Sequence, residues 1–93
     1  MKVSAPDMRA PRFDVVGIGL NSVDILCRVD RYPDFNTKKV LRGMEWHGGG
    51  QAATAMAALA RLGMETALIG AVGDDAEGRF SLTSLVDAGV NTE

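Results

Sequence analysis

Apolar residues along this chain fall into short runs and longer periodic stretches. Phe13-Asp14-Val15-Val16-Gly17-Ile18-Gly19 and Thr66-Ala67-Leu68-Ile69-Gly70-Ala71-Val72-Gly73 are almost unbroken apolar runs that end in glycine. Runs of this length and make-up predict buried strands. Val23-Asp24-Ile25-Leu26-Cys27-Arg28-Val29-Asp30-Arg31 roughly alternates apolar and polar from Ile25 onward, the period of a half-exposed strand. Tyr32-Pro33-Asp34-Phe35-Asn36-Thr37 has turn chemistry, and Lys38 to Trp46 is a weaker strand candidate. These two segments predict an antiparallel ribbon with one wet face.

Two stretches predict helices. From Gln51 to Leu62 the chain is alanine-rich, lacks proline and has Thr54 as its only β-branched residue. Such residues lose little freedom in a helix, and Gly63 fits the left-handed position just past its end. Asp74-Asp75-Ala76-Glu77 reads as a second start, with an aspartate to accept a first-turn N–H and Glu77 three after Asp74, as in a capping box. Phe80, Leu82, Leu85 and Val86 supply apolar contacts, Gly89 ends the helix, and Val90 to Glu93 leads into a further strand. The order is strand, two-strand insert, helix, strand, helix and the start of a strand. Apart from the insert, this is the alternation of an α/β fold with an open, mostly parallel sheet. Residues 1–12 carry Pro6, Pro11 and mixed charges without periodicity and are expected to form a loose tail.

Composition narrows the function classes. Ninety-three residues, 46% apolar and 24% charged, suit one small folded domain. The net charge is −2 and no basic cluster exceeds a pair such as Lys38-Lys39, so nucleic-acid binding lacks its usual electrostatic driver. Cys27 is the only cysteine, which excludes an internal disulfide and a Cys-rich metal site and suits a reducing compartment. No apolar run is long enough to span a bilayer, and the first residues lack the apolar core of a secretory signal. A cytoplasmic protein with no membrane or nucleic-acid partner is expected. The five methionines show no stripe and read as packing.

Candidate chemistry gathers around glycines and one carboxylate. Gly48-Gly49-Gly50 precede the first helix, where glycines admit close approach of a ligand to the backbone. The first N–H groups of the helix lack intrahelical partners, so this loop suits anions or hydroxyl oxygens. It equally suits a tight turn before a buried helix. Gly17-Ile18-Gly19-Leu20-Asn21-Ser22 superficially offers a dinucleotide fingerprint, with Ser22 at the place of the last glycine. That motif requires a following helix, and a strand-like alternation follows instead. Asp24 lies just past the first strand, where ligands bind in open α/β sheets. Its carboxylate suits two neighbouring hydroxyls of a polyol; a turn or cap aspartate is the alternative. His47, beside Trp46, has no metal-ligand partner in sequence and reads as structural or as a residue near the hinge of the ribbon.

Three segments in consistent order carry a resemblance. They are Gly19-Leu20-Asn21-Ser22-Val23-Asp24, then Gly49-Gly50-Gln51-Ala52-Ala53-Thr54-Ala55 through Ala60-Arg61-Leu62-Gly63, then Ile69-Gly70-Ala71-Val72-Gly73-Asp74-Asp75-Ala76-Glu77-Gly78-Arg79. Together they resemble the N-terminal part of the PfkB carbohydrate kinases, the ribokinase-like family. The resemblance implies a ribokinase-like α/β fold in which the insert, about residues 25–46, is a small antiparallel β lid. It implies transfer of the ATP γ-phosphoryl group to a sugar or nucleoside hydroxyl with Mg²⁺. Asp24 matches the aspartate that binds substrate hydroxyls, and Gly49 and Gly50 match the glycine pair that approaches the sugar. Ser22 and Thr54 stand where ribokinases usually carry asparagines. Both keep a polar group but lose an amide, so the resemblance implies the family without implying ribose as the substrate. Asp74 and Asp75 read as helix caps, not catalytic groups.

The same resemblance places the catalytic aspartate, the anion hole and the ATP pocket beyond these segments, around a Gly-Ala-Gly-Asp motif that the 93 residues do not contain. Residues 13–93 are therefore expected to be the N-terminal part of a kinase domain, without catalytic, cofactor or metal residues of their own and inactive alone. Two alternatives stand beside this expectation. One is a non-catalytic binding module that forms a homodimer through the lid. The other is a dinucleotide-binding domain of an oxidoreductase.

Overall fold

The computed structural model describes residues 12–93, so the expected tail lies outside the described residues except for Arg12. The elements are β1 (Val15–Ile18), β2 (Ser22–Arg28), β3 (Gly43–Gly49), α1 (Gln51–Arg61), β4 (Thr66–Ile69), α2 (Ala76–Ala88) and β5 (Val90–Asn91). They form the expected α/β arrangement: a parallel sheet of order β1-β4-β5 and a separate antiparallel pair, β2-β3. Val15 pairs with Thr66 through to Ile18 with Ile69, and Thr66 pairs in turn with Val90. Both crossovers step the sheet in the same direction, so right-handed connections put α1 and α2 on one face.

That face holds the core. Ala53 and Met56 of α1, Leu68 of β4, Leu85 of α2 and Val90 of β5 are buried together. Thr66 is 1% exposed and its Oγ1 donates to the Met56 carbonyl at 3.1 Å, which satisfies a hydroxyl inside the core. The opposite face of the sheet leaves Val16, Ile18 and Ile69 exposed. On α2 the apolar contacts divide: Leu85 is buried and Phe80 half-buried, whereas Leu82 and Val86 are exposed.

Element ends follow local chemistry, with several shifts from the sequence reading. α1 ends as expected at Gly63 (φ 97°), where the Met64 N–H donates to Leu59 O and the Gly63 N–H to Ala60 O. Gly89 (φ 95°) ends α2 in the same left-handed region. The start of α2 is capped by Asp75, whose Oδ1 accepts from the Gly78 N–H at 2.8 Å. Glu77 therefore sits at the second helical position and no Asp74–Glu77 capping box forms; Asp74 is fully exposed, 3.9 Å from Arg79. β1 is shorter than the run from Phe13 to Gly19, because Asp14 turns to bind the Glu65 backbone N–H at 2.8 Å. β4 stops at Ile69, and residues 70–73 form a loop.

The ribbon departs furthest from expectation. Its strands run from Ser22 to Arg28 and from Gly43 to Gly49, not from Val23 to Arg31 and from Lys38 to Trp46. The antiparallel unit thus reaches beyond residues 25–46 at both ends and takes in Ser22, Asp24 and Gly49. Both faces are wet, since Ile25, Leu26 and Met44 are each more than half exposed. The intervening turn forms as expected, with the Thr37 N–H and Oγ1 donating to Asp34 O at 3.2 and 2.6 Å.

Candidate functional site

The site is built where β1 and β4 end and the ribbon begins. The connector Gly19–Asn21 is held from several sides. The Gly19 N–H donates to Ile69 O at 3.2 Å, and Leu20 O accepts from the Ala53 N–H, in the first turn of α1, at 3.1 Å. Gly50 (φ 94°) is the single residue between β3 and α1, and a Cβ there would lie 2.6 Å from Leu20 O. The expected glycine loop is therefore mostly strand: Gly48 and Gly49 pair in β3, and Gly50 alone makes the turn.

Register sorts the ribbon into two faces, because directly paired residues share a face and side chains alternate. Ser22, Asp24, Leu26 and Arg28 share one face with Glu45, His47 and Gly49. On that face the Ser22 Oγ donates to Asp24 Oδ1 at 3.2 Å. The Asp24 carboxylate lies directly against the Gly49 backbone, and a Cβ at position 49 would sit 2.7 Å from its Cγ. Only glycine leaves room for the carboxylate in this position. Asp24 itself is exposed, so its carboxylate rests on Gly49 without losing access to a ligand.

Of the residues singled out from sequence, Ser22, Asp24 and Gly49 come together, with Gly50 one residue further on. Thr54 stands on the first turn of α1 and lines a cavity of about 400 Å³ with His47, Gly48, Gly49 and residues of α2. Asp24 and Ser22 do not line that cavity. Asp24 lies on β2, within the expected second strand and six residues past the end of β1. His47, set aside in the sequence reading, pairs directly with Asp24 across the ribbon. Its Nε2 is 3.0 Å from Glu45 Oε2, and the other Glu45 oxygen accepts from Arg28 Nη2 at 3.3 Å. Only the register reveals this neighbour, since Asp24 and His47 lie far apart in sequence.

A strand, not a helix, follows Gly19, so the dinucleotide reading lacks the helix N-terminus on which it depends. Among the described residues no three His, Cys, Asp or Glu side chains gather into a group that could hold a metal ion. No described helix is long and apolar enough to cross a membrane.

Known proteins resemble this chain in sequence and in fold. Residues 12–93 match the family described as pfkB family carbohydrate kinase. An ATP-dependent ribose-1-phosphate kinase from Halopiger xanaduensis is 40% identical over 79 residues, covering 85% of this chain and 27% of that protein. A nucleoside kinase from Methanothermobacter thermautotrophicus is 32% identical over 80 residues, covering 86% of this chain and 26% of that protein. The chain thus spans about a quarter of the length of these curated relatives. Arabidopsis thaliana ribokinase, solved with ribose and ATP, superposes with a TM-score of 0.68 at 28% identity over 84% of this chain and 26% of that one.

Proposed function

Since the chain belongs to the pfkB family of carbohydrate kinases, we propose that it supplies the substrate-binding part of an ATP-dependent kinase acting on a sugar or nucleoside hydroxyl. The observation that carries this reading is the exposed Asp24 carboxylate resting on Gly49, with the Ser22 hydroxyl beside it. A carboxylate accepts only, so it selects donors, and two adjacent sugar hydroxyls match its two oxygens. Asp24 would hold the sugar, Ser22 would orient Asp24, and the Gly49-Gly50 backbone would border the ring without a side chain in the way. Thr54, on the first turn of α1, would meet the substrate from the helix side. Positioning, together with electrostatic stabilisation, is the main protein contribution to phosphoryl transfer.

ATP supplies the phosphoryl group, and Mg²⁺ neutralises its charge, in a complete kinase of this kind. The 93 residues contain no Gly-Ala-Gly-Asp segment, and they span about a quarter of the length of the curated kinases they match. We therefore assign residues 13–93 to the N-terminal portion of a kinase domain and place the catalytic base and ATP pocket outside them. A cytoplasmic setting fits both ATP use and the exposed thiol of Cys27.

The test is a ¹H–¹⁵N titration of the chain with pentoses and nucleosides. Shifts centred on Ser22, Asp24 and Gly49 that vanish in Asp24→Asn are expected; binding unchanged by that substitution overturns the reading. Incubated with ATP, Mg²⁺ and a bound sugar, the chain alone is expected to release no ADP above background, and turnover would overturn the assignment of the base to other residues.

A second reading concerns the ribbon, here the proposed lid. A two-stranded ribbon has two free edges and is marginal by itself. Ile25, Leu26 and Met44 expose apolar surface on both of its faces. Pairing of two lids in a homodimer would cover them, and sedimentation of the wild-type chain against Leu26→Glu tests it: a dimer lost in the variant supports pairing, a monomer in both refutes it.

A further inference from the structure

The lid buries little of its own, so whatever sets its position acts at its root. Three contacts converge there on one stripe of α2. The Trp46 ring meets Phe80 edge-on, with centroids 5.6 Å apart and an interplanar angle of 78°. A Cβ on Gly48 would run into the Ser84 hydroxyl, so α2 packs directly on the β3 backbone. The Asn21 Nδ2 donates to Ser81 Oγ at 2.9 Å. Trp46 and Gly48 lie on the lid face opposite Asp24, by the register of the ribbon. Asn21 is the last residue before β2 begins.

Ser81 is only 4% exposed. A buried hydroxyl is costly unless bonded, and alanine would suit a helix interior better. Its bond to Asn21 joins helix and strand entry across the sequence. The Asn21 amide is confined in turn, since its Oδ1 is 2.8 Å from where a Cβ on Gly70 would stand. Trp46–Phe80 and Gly48–Ser84 fix the tilt of the ribbon from one face, and Asn21–Ser81 fixes the point from which β2 starts.

We infer that α2 is the seat of the lid and that the Asn21–Ser81 bond is a positioning pair that holds Asp24 against Gly49. The inference builds on Asp24 as the substrate carboxylate, yet its primary readout needs no substrate. Nuclear Overhauser contacts between Asp24 Hβ and Gly49 Hα report the placement directly. In Asn21→Ala and in Ser81→Ala these contacts are expected to weaken, and sugar affinity to fall by about 3- to 10-fold, the worth of one such bond. The double variant should bind no more weakly than either single one, because both remove the same interaction. Trp46, the only tryptophan, should shift its emission to the red in Phe80→Leu, with the same loss of the Asp24–Gly49 contacts.

A role in fold stability alone would lower the melting temperature and leave those contacts at full intensity in the folded protein. Contacts retained at wild-type strength in both single variants overturn the inference. If Ser81→Ala fails to fold, Asn21→Ala, at a half-buried connector position, decides the question alone. Wild-type sugar affinity in Asp24→Asn would instead overturn the substrate reading, and the contacts would still decide the positioning role.

Discussion

The parallel unit and the β2–β3 ribbon, the proposed lid, are made by opposite means. The parallel unit shares one core, in which Met56, Leu68, Leu85 and Val90 are each less than a tenth exposed. The lid is two seven-residue strands joined by backbone hydrogen bonds, with nearly every side chain of β2 exposed. One region is specified by burial. The other is specified by pairing and by its attachment to the first. Stability and ligand recognition are therefore expected to respond to different substitutions, although the candidate carboxylate is only six residues from the end of β1.

Met56→Ala should separate the two regions most strongly. Met56 packs over Gly17, where a Cβ would stand 2.8 Å from its Cγ, so truncation opens a cavity between α1 and the sheet. A loss of about 2–5 kcal/mol is expected by thermal or urea unfolding. A comparable truncation on the lid, Leu26→Ala, should cost under about 0.5 kcal/mol, as is usual for exposed positions. Equal losses would show that the lid contributes to the same core.

Gly49→Ala reverses the order of effects. The added methyl displaces the Asp24 carboxylate, so sugar binding should drop by at least about 10-fold, as expected when a charged hydrogen bond is lost. The core is untouched, and the unfolding midpoint should move less than in Met56→Ala. Calorimetric titration beside a melting curve checks both.

Asp75→Ala removes the α2 cap and should cost about 1 kcal/mol, read by urea unfolding. Because α2 also seats the lid, this variant should weaken the Asp24–Gly49 contacts only if the helix frays as far as Phe80. At the small end, Glu45→Ala removes the exposed bonds to Arg28 and His47. Stability should change by under about 0.5 kcal/mol, and a larger change would mean that the lid surface carries structural energy.

The legibility of the sequence follows the same division. Where burial imposes a period or a stop, the residues declared it: the runs at β1 and β4, the alanine-rich α1, and Gly63 and Gly89 at the helix ends. The cap of α2 was legible to within one residue, because Asp74 and Asp75 offer the same chemistry and only the helix phase chooses between them. The lid strands were displaced in the sequence reading because residues exposed on both faces carry no burial pattern. Asp24, Gly49, Ser22 and Thr54 could be named as a set only through a family resemblance. That Gly49 makes room for the Asp24 carboxylate depends on register, which single residues do not display. Asn21, Ser81 and the Trp46–Phe80 contact escaped for the same reason, although a serine on the apolar face of α2 was the available signal.

The root of the lid has a mechanical consequence. β3 passes into α1 through Gly50 alone, and β2 is entered through the short connector Gly19–Asn21, so any swing of the lid arm turns about these two connections at its root. Seven residues of strand at about 3.3 Å each make an arm of about 23 Å. A swing of about 10° at the pivot would sweep the far end through roughly 4 Å, whereas the level of His47 and Asp24, about 10 Å along that arm, would travel less than half as far. The arm is a lever with its working point near the fulcrum: large excursions at the tip become fine adjustments where the carboxylate stands.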